Sequence, residues 1–274
     1  MSTRRPIGRN NLDRALHRLF PNDATYVEMR SMMVNVLVGQ FLPDGVVKGG
    51  SSLKLRYGND ETRVTTDLDA AAKVSRDQFI EEFQARLGLG WEGFTFQVIA
   101  KSPARPRQVE SAYVMRPFAI KVNYTGKPWC TVDLELSHNE IGDADEAEWI
   151  CSPEVNEVFV KLGFPEPGKL PLMPLKYQIA QKLHGVSAPE SERAHDLVDL
   201  QLIFLKSEID LRAVKDVCYR IFAYRKMHAW PPRVSKGETW DELYGVAARG
   251  LPVLPTCDEA ITWANELITR IATA

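Results

Sequence analysis

The stretch Lys48–Asp69, KGGSSLKLRYGNDETRVTTDLD, decides how the rest of the chain is read. Paired glycines and small hydroxyl residues follow the apolar run Gly45–Val47, and the stretch closes on two aspartates set among Thr, Leu and Ala. The pattern predicts a strand, a tight turn and a helix, with Ser51 or Ser52 as the N-cap. Beyond the loop Asn59–Arg63, the segment Val64–Val74 reads as a further strand. Successive side chains of a strand point to opposite faces, so Asp67 and Asp69 share one face and Leu68 and Ala70 the other. Two carboxylates a few ångströms apart repel each other unless water screens them on an exposed face or a divalent cation with oxygen ligands relieves them.

The segment Val132–Ser137, VDLELS, places Asp133 and Glu135 on one face, with Val132 and Leu134 opposite. A sheet that sets this strand beside the first brings a third carboxylate, expected to be Asp133, to the same place. Three such groups can hold two Mg²⁺ ions, the arrangement that clamps the attacking and leaving oxygens of a phosphoryl transfer. Upstream, the Gly-Ser turn lets the backbone approach a phosphate, and the positive end of a helix stabilises its charge.

Outward from this centre, residues 11–20 and 25–42 carry apolar residues at three- and four-residue spacing and are expected to be helices that each bury one face. Ser75 is expected to cap a helix that ends at Gly88 or Gly90. Residues 94–100, 112–124 and 128–137 read as strands, the last two forming a hairpin across Thr125–Pro128. From about Val155 the pattern becomes helical, punctuated by the proline-rich run Lys169–Pro174, with helices expected over 175–186, 192–206, 210–224 and 258–272. The expectation is an α+β protein: a mixed sheet flanked by helices over residues 1–165, then a helical lobe over residues 166–274.

The 274 residues are 45% hydrophobic and 26% charged, with a formal net charge of -2, so any polyanion must meet a local basic surface. Candidates are Arg4, Arg5, Arg9 and Arg14, and the group Lys101, Arg105 and Arg107; an ordinary solvated terminus and loop are the alternative. Cys130, Cys151, Cys218 and Cys257 are too far apart in sequence to suggest a zinc site or a disulfide framework. His138, His184 and His195 have no metal-ligand spacing. No apolar run approaches the ~20 residues of a membrane span, and no signal-peptide core follows the first basic residues, so a cytoplasmic protein without a membrane is expected. Trp230, Trp240 and Trp263 read as packing residues, as do Tyr219 and Tyr224.

Lys48–Asp69, followed in order by TVDLEL, QIAQKLHG and RAHDLVDL, resembles the AbiEii/AbiGii toxin family of nucleotidyltransferases, which is built on a DNA polymerase β-like minimal core. The resemblance covers roughly residues 47 to 205. It implies that Gly50, Ser51 and Ser52 hold a nucleoside triphosphate, that Asp67 and Asp69 hold Mg²⁺, and that the later motifs fall on Lys182 and Asp196, with Asp199 close behind. The loop NDETR is longer than in many members, and Thr131 stands where many carry Lys.

On residue chemistry, Lys182 balances triphosphate charge or is a surface lysine packed along its helix. Asp196 orients Lys182 or the substrate, or forms a surface pair with Arg193. Arg63 reaches the triphosphate or pairs with Asp60 or Glu61. The implied reaction moves a nucleoside monophosphate from an NTP to an RNA acceptor, with the tRNA 3′ end favoured, in a toxin opposed by a separately encoded antitoxin. The alternatives are an antibiotic or a protein hydroxyl as acceptor, or a non-catalytic nucleotide- or RNA-binding module.

Overall fold

The structure, a computed structural model, describes residues 4–65, 67–102 and 115–274. Arg105 and Arg107 lie outside the described residues. The chain forms two compact units, one of residues 1–59 and 65–172 and the other of residues 60–64 and 173–274.

The first unit is built on a seven-stranded mixed sheet with the order β3-β4-β5-β2-β1-β7-β6. The strands are β1 (Gly45–Lys48), β2 (Leu68–Ala72), β3 (Phe94–Ala100), β4 (Arg116–Tyr124), β5 (Lys127–His138), β6 (Glu148–Ile150) and β7 (Leu170–Leu172). Around them lie α1 (Arg9–Leu19), α2 (Asp23–Gly39), α3 (Gly49–Tyr57), α4 (Arg76–Leu87) and α5 (Pro153–Lys161). β2 runs parallel to β5, and β1 runs parallel to β7.

The expected hairpin joins β4 to β5, with Tyr124 paired to Lys127. Thr125 and Gly126 between them both take positive φ, 47° and 75°, as a two-residue hairpin turn requires. On one face of these strands Ile120, Val122, Val132 and Leu134 are buried, while Lys121 and Thr131 on the other are exposed. The apolar face meets an aromatic cluster in which Phe94 lies 4.6 Å from Tyr124, 5.3 Å from Trp129 and 5.5 Å from Phe164. Ser75 caps α4 as expected, its hydroxyl accepting from the Gln78 amide at 3.3 Å, and the helix ends at Gly88.

Four local readings differ from the structure. The strand expected over Val64–Val74 is confined to Leu68–Ala72, which leaves Asp67 before it. α2 does not bury a single face: every residue from Met32 to Gly39 is buried, because MMVNVLVG is apolar on nearly all sides and runs through the core. Neither Ser51 nor Ser52 caps α3; the cap position is Lys48, and both serines are buried inside the helix. The proline-rich run contains β7, whose three residues are all buried and which pairs with β1 and β6. Strands of three residues carry no detectable period, so β6 and β7 leave no signal in sequence.

The second unit contains α6 (Leu175–Val186), α7 (His195–Lys206), α8 (Leu211–Arg225), α9 (Trp240–Ala248) and α10 (Cys257–Thr273). α6 packs on α7 and α8, and α10 contacts α7, α8 and α9. Asp210 caps α8, and Thr256 with Glu259 forms a capping box at the start of α10. Trp240 is buried and donates to the Ser191 carbonyl at 2.6 Å, while Trp230 and Trp263 lie edge-on to Phe222 and Phe204. Among the described residues no helix is long and apolar enough to cross a membrane.

His184 on α6 is buried against Phe222 and His228, and its pKa is pushed down to about 3 by burial first and by Arg225, His228 and Arg193 next. Below its ordinary value the unfolded chain takes up a proton that the native state refuses. Stability should therefore fall as pH drops from 6.5 to about 3. His184→Leu should flatten this part of the pH–stability curve in urea unfolding; an unchanged slope would remove His184 from the account.

Candidate functional site

The parallel register of β2 and β5 sets Leu68 beside Leu134, Asp69 beside Glu135 and Ala70 beside Leu136. The leucines and Ala70 are fully buried on one face, which leaves the half-buried Asp69 and Glu135 side by side on the other. Asp67 lies immediately before β2 and is exposed. Asp133 shares the face of Glu135, one pleat along, and forms an ion pair with Lys101 at 2.5 Å. Burial pushes the Glu135 carboxyl up, and the negative charges of Asp69, Asp67 and Asp133 push it further, with only Lys48 opposing. The four acids thus share one electrostatic environment. The carboxylate directly across from Asp69 is Glu135, a choice between two same-face acids that only the register can make.

The chemistry of this donor set, carboxylate oxygens gathered around the half-buried Glu135, suits a hard divalent cation. Among the described residues no three acidic, histidine or cysteine side chains converge tightly enough to enclose a metal ion as they stand.

The Gly-Ser turn abuts these acids. Lys48 is paired with Asp69 across β1 and β2. Gly49 takes φ +66°, and a Cβ there would run into the Asp69 carboxylate, with Cγ at 3.1 Å. Gly49 is therefore the glycine that the turn demands, a position sequence reading passed over in favour of Gly50, which lies buried in α3. The Ser51 hydroxyl is buried and donates to the main-chain carbonyl of Asp67, tying the start of α3 to the approach to β2. Ser52 is fully buried beside it in sequence.

In the second unit, Lys182, Asp196 and Asp199 form a buried cluster. The Lys182 ammonium donates to Asp196 Oδ1 at 2.9 Å and to Asp199 Oδ2 at 2.6 Å. The other oxygen of Asp196 accepts from Arg193 Nε at 2.6 Å, and the other oxygen of Asp199 accepts from Arg63 Nε at 3.0 Å. Charges alternate along Arg193–Asp196–Lys182–Asp199–Arg63. Lys182 is only 4% exposed, which excludes the surface-lysine alternative. Burial is the largest influence on the Asp196 carboxyl and pushes it up, but Lys182, Arg193 and His195 outweigh it and hold it well below the usual carboxylate range. Arg63 pairs with neither Asp60 nor Glu61; Glu61 pairs with Lys206. Of the N-terminal arginines, Arg5 pairs with Glu92 and Arg9 with Asp13.

A family model for the nucleotidyl transferase AbiEii toxin of type IV toxin–antitoxin systems matches residues 34–263. The chain belongs to this family. It is accordingly a nucleotidyltransferase-type enzyme of the toxin class. No curated protein matches the AbiEii-family chain by sequence. Among solved structures it is similar to MenT4, a nucleotidyltransferase toxin from Mycobacterium tuberculosis, at 20% identity and a TM-score of 0.60, over 95% of this chain and 92% of that one. It is also similar to JHP933 from Helicobacter pylori, at 14% identity and a TM-score of 0.46, over 92% and 93% of the two chains. At these identities the first likeness speaks for the AbiEii-family fold alone, a mixed sheet flanked by helices with a C-terminal helical region.

Two substitutions test the geometry. Gly49→Ala adds a left-handed backbone cost of roughly 1–2 kcal/mol and drives a methyl group into Asp69. It should lower both the thermal midpoint and nucleotidyl transfer; a fully active variant would show that Asp69 need not stay where it lies. Lys182→Met leaves Asp196 and Asp199 buried without their shared cation and should cost about 3–5 kcal/mol. Urea unfolding measures this, and an unshifted midpoint would contradict the buried cluster.

Proposed function

We propose that the protein transfers a nucleoside monophosphate from an NTP to a hydroxyl of an RNA acceptor, the tRNA 3′ end first among candidates, in a Mg²⁺-dependent reaction. The observation that carries this is the crowding of Asp69, Asp133 and Glu135 on one sheet face, with Asp67 just before β2 and within their electrostatic reach, beside a glycine turn in a chain of the AbiEii family. The acceptor oxygen attacks the α-phosphorus, the bond to the bridging oxygen of the β-phosphate breaks, and pyrophosphate leaves with that electron pair. The hydroxyl proton passes to a carboxylate of the cluster and on to solvent.

Asp67 and Asp69 would hold the metal ions, with Glu135 as the third donor because it faces Asp69 directly; Asp133, paired with Lys101, is the competing third donor. Mg²⁺ held there would neutralise the triphosphate and lower the pKa of the acceptor hydroxyl. Gly50, Ser51 and Ser52, at the start of α3, would receive the triphosphate through the backbone N–H groups of the helix end. Lys182 and Asp196 act in this reading through the buried cluster, Asp196 holding the lysine in place, and Arg63 is held by Asp199. Much of the rate then comes from positioning and electrostatics. MenT4 is described as a nucleotidyltransferase toxin, which accords with a toxic role here, and a type IV system supplies an antitoxin as partner.

Asp69→Asn should lower turnover at least about a hundredfold, since metal stabilisation is worth several kcal/mol. Glu135→Gln should be far more damaging than Asp133→Asn; the reverse order would make Asp133 the third donor. Incubation with each labelled NTP and total RNA should place label at RNA 3′ ends. An RNA pool that stays unlabelled with all four nucleotides would count against an RNA acceptor, and label on protein would favour the protein-modifying alternative.

A further inference from the structure

A triphosphate brings about four negative charges to a sheet face that already carries carboxylates, and metal ions alone leave its outer phosphates in need of a cation. Lys182, expected from sequence to serve, donates to two buried carboxylates at 2.9 and 2.6 Å. Lys101 is held by Asp133. Arg63 is held by Asp199.

Lys48 is placed differently. It ends β1 directly opposite Asp69, so its side chain leaves the sheet on the acid face, and it occupies the cap position of α3 immediately before Gly49. It is half-buried, and among the described residues its ammonium makes no ion pair and no side-chain hydrogen bond. A half-buried lysine beside several carboxylates that pairs with none of them keeps its charge for a ligand. Its field nonetheless reaches the cluster, where it opposes the upward push on Glu135.

We infer that Lys48 is the side chain that binds the β- and γ-phosphates of the NTP and then the departing pyrophosphate, while Lys182 serves as a positioning residue within its own buried cluster. The inference rests on the nucleotidyl-transfer reading and names the phosphate contact within it. Three features support it. The turn places the Lys48 backbone at the positive end of α3, where an anion is favoured. Gly49 has no side chain to stand between that helix end and the ligand. Lys48 also lies on the opposite strand neighbour of Asp69 from Glu135, since β2 is between β1 and β5, so the acids and the cation flank one line across the sheet.

The test is equilibrium binding with metal chelated, using inorganic tripolyphosphate to displace a fluorescent NTP analogue from the full-length protein. Lys48→Met should weaken tripolyphosphate and NTP by about tenfold or more, the value of one charge-assisted contact, and Lys48→Arg should recover most of it. In turnover, Lys48→Met should raise KM for NTP and leave KM for the acceptor unchanged. Lys182→Met, refolded or assayed below its midpoint, should retain tripolyphosphate binding. A folded Lys48→Met protein, checked by circular dichroism, that binds tripolyphosphate like the wild type would overturn the assignment. So would a wild type with no tripolyphosphate affinity, or a Lys182→Met protein in which that affinity is lost while Lys48→Met keeps it. A wild type that binds tripolyphosphate through Lys48 yet transfers no nucleotide would support the site and sink the reaction.

Discussion

Repulsion between Asp69 and Glu135 is the constraint around which the first unit is arranged. Neighbouring strands stand about 4.8 Å apart, so side chains opposite one another on the same face are held close together. The register that brings these acids together is the one that buries Leu68 beside Leu134 and Ala70 beside Leu136. A slip of one residue would relieve the acids only by turning the leucines to solvent and the carboxylates into the core. The apolar face therefore fixes the polar one, and the chain tolerates like charges because hydrophobic burial on the far side outweighs their repulsion.

The second unit treats buried charge in the opposite way. From Arg193 through Asp196, Lys182 and Asp199 to Arg63, every carboxylate oxygen meets a cation and the signs alternate. Such a chain is self-sufficient: removing one member exposes its neighbours to the full penalty of uncompensated burial, while the intact chain holds little charge in reserve for a ligand. The segment 60–64, which precedes Asp67 in sequence, belongs to this unit through Arg63 and through Glu61 paired to Lys206. Alternating charges build the helical unit, whereas on the sheet face acids of like charge stand side by side around Glu135.

Much of this was legible in the sequence, and the omissions have physical causes. Alternation in VDLELS placed Asp133 and Glu135 on one face, although Asp67 falls before β2 and not within it, and the Ser75 cap and the Thr125–Gly126 hairpin followed from local chemistry. Sequence analysis took Asp133 as the third carboxylate, whereas the register sets Glu135 beside Asp69; the two acids have the same parity and only strand register separates them. It took Gly50 where Gly49 carries the left-handed turn, since two adjacent glycines are indistinguishable until one is seen against Asp69. Ser51 and Ser52 had the composition of caps, but the helix starts earlier and spends the Ser51 hydroxyl on the Asp67 carbonyl. β6, β7 and the short helix α9 were too brief for periodicity to reveal.

That single hydroxyl has a larger consequence than a lost cap. Ser51 ties α3 to the main chain of Asp67, Gly49 packs against the Asp69 carboxylate, and Lys48 lies across the ladder from Asp69. Three successive contacts thus join the turn to the acidic strand, so neither can shift without the other. On the proposed reading, the group that receives the triphosphate and the group that holds the metal ions are parts of one rigid piece. Electrostatic stabilisation is strong when its dipoles and charges are fixed before the reactants arrive, and a hydroxyl buried between the two parts fixes them without facing the substrate at all.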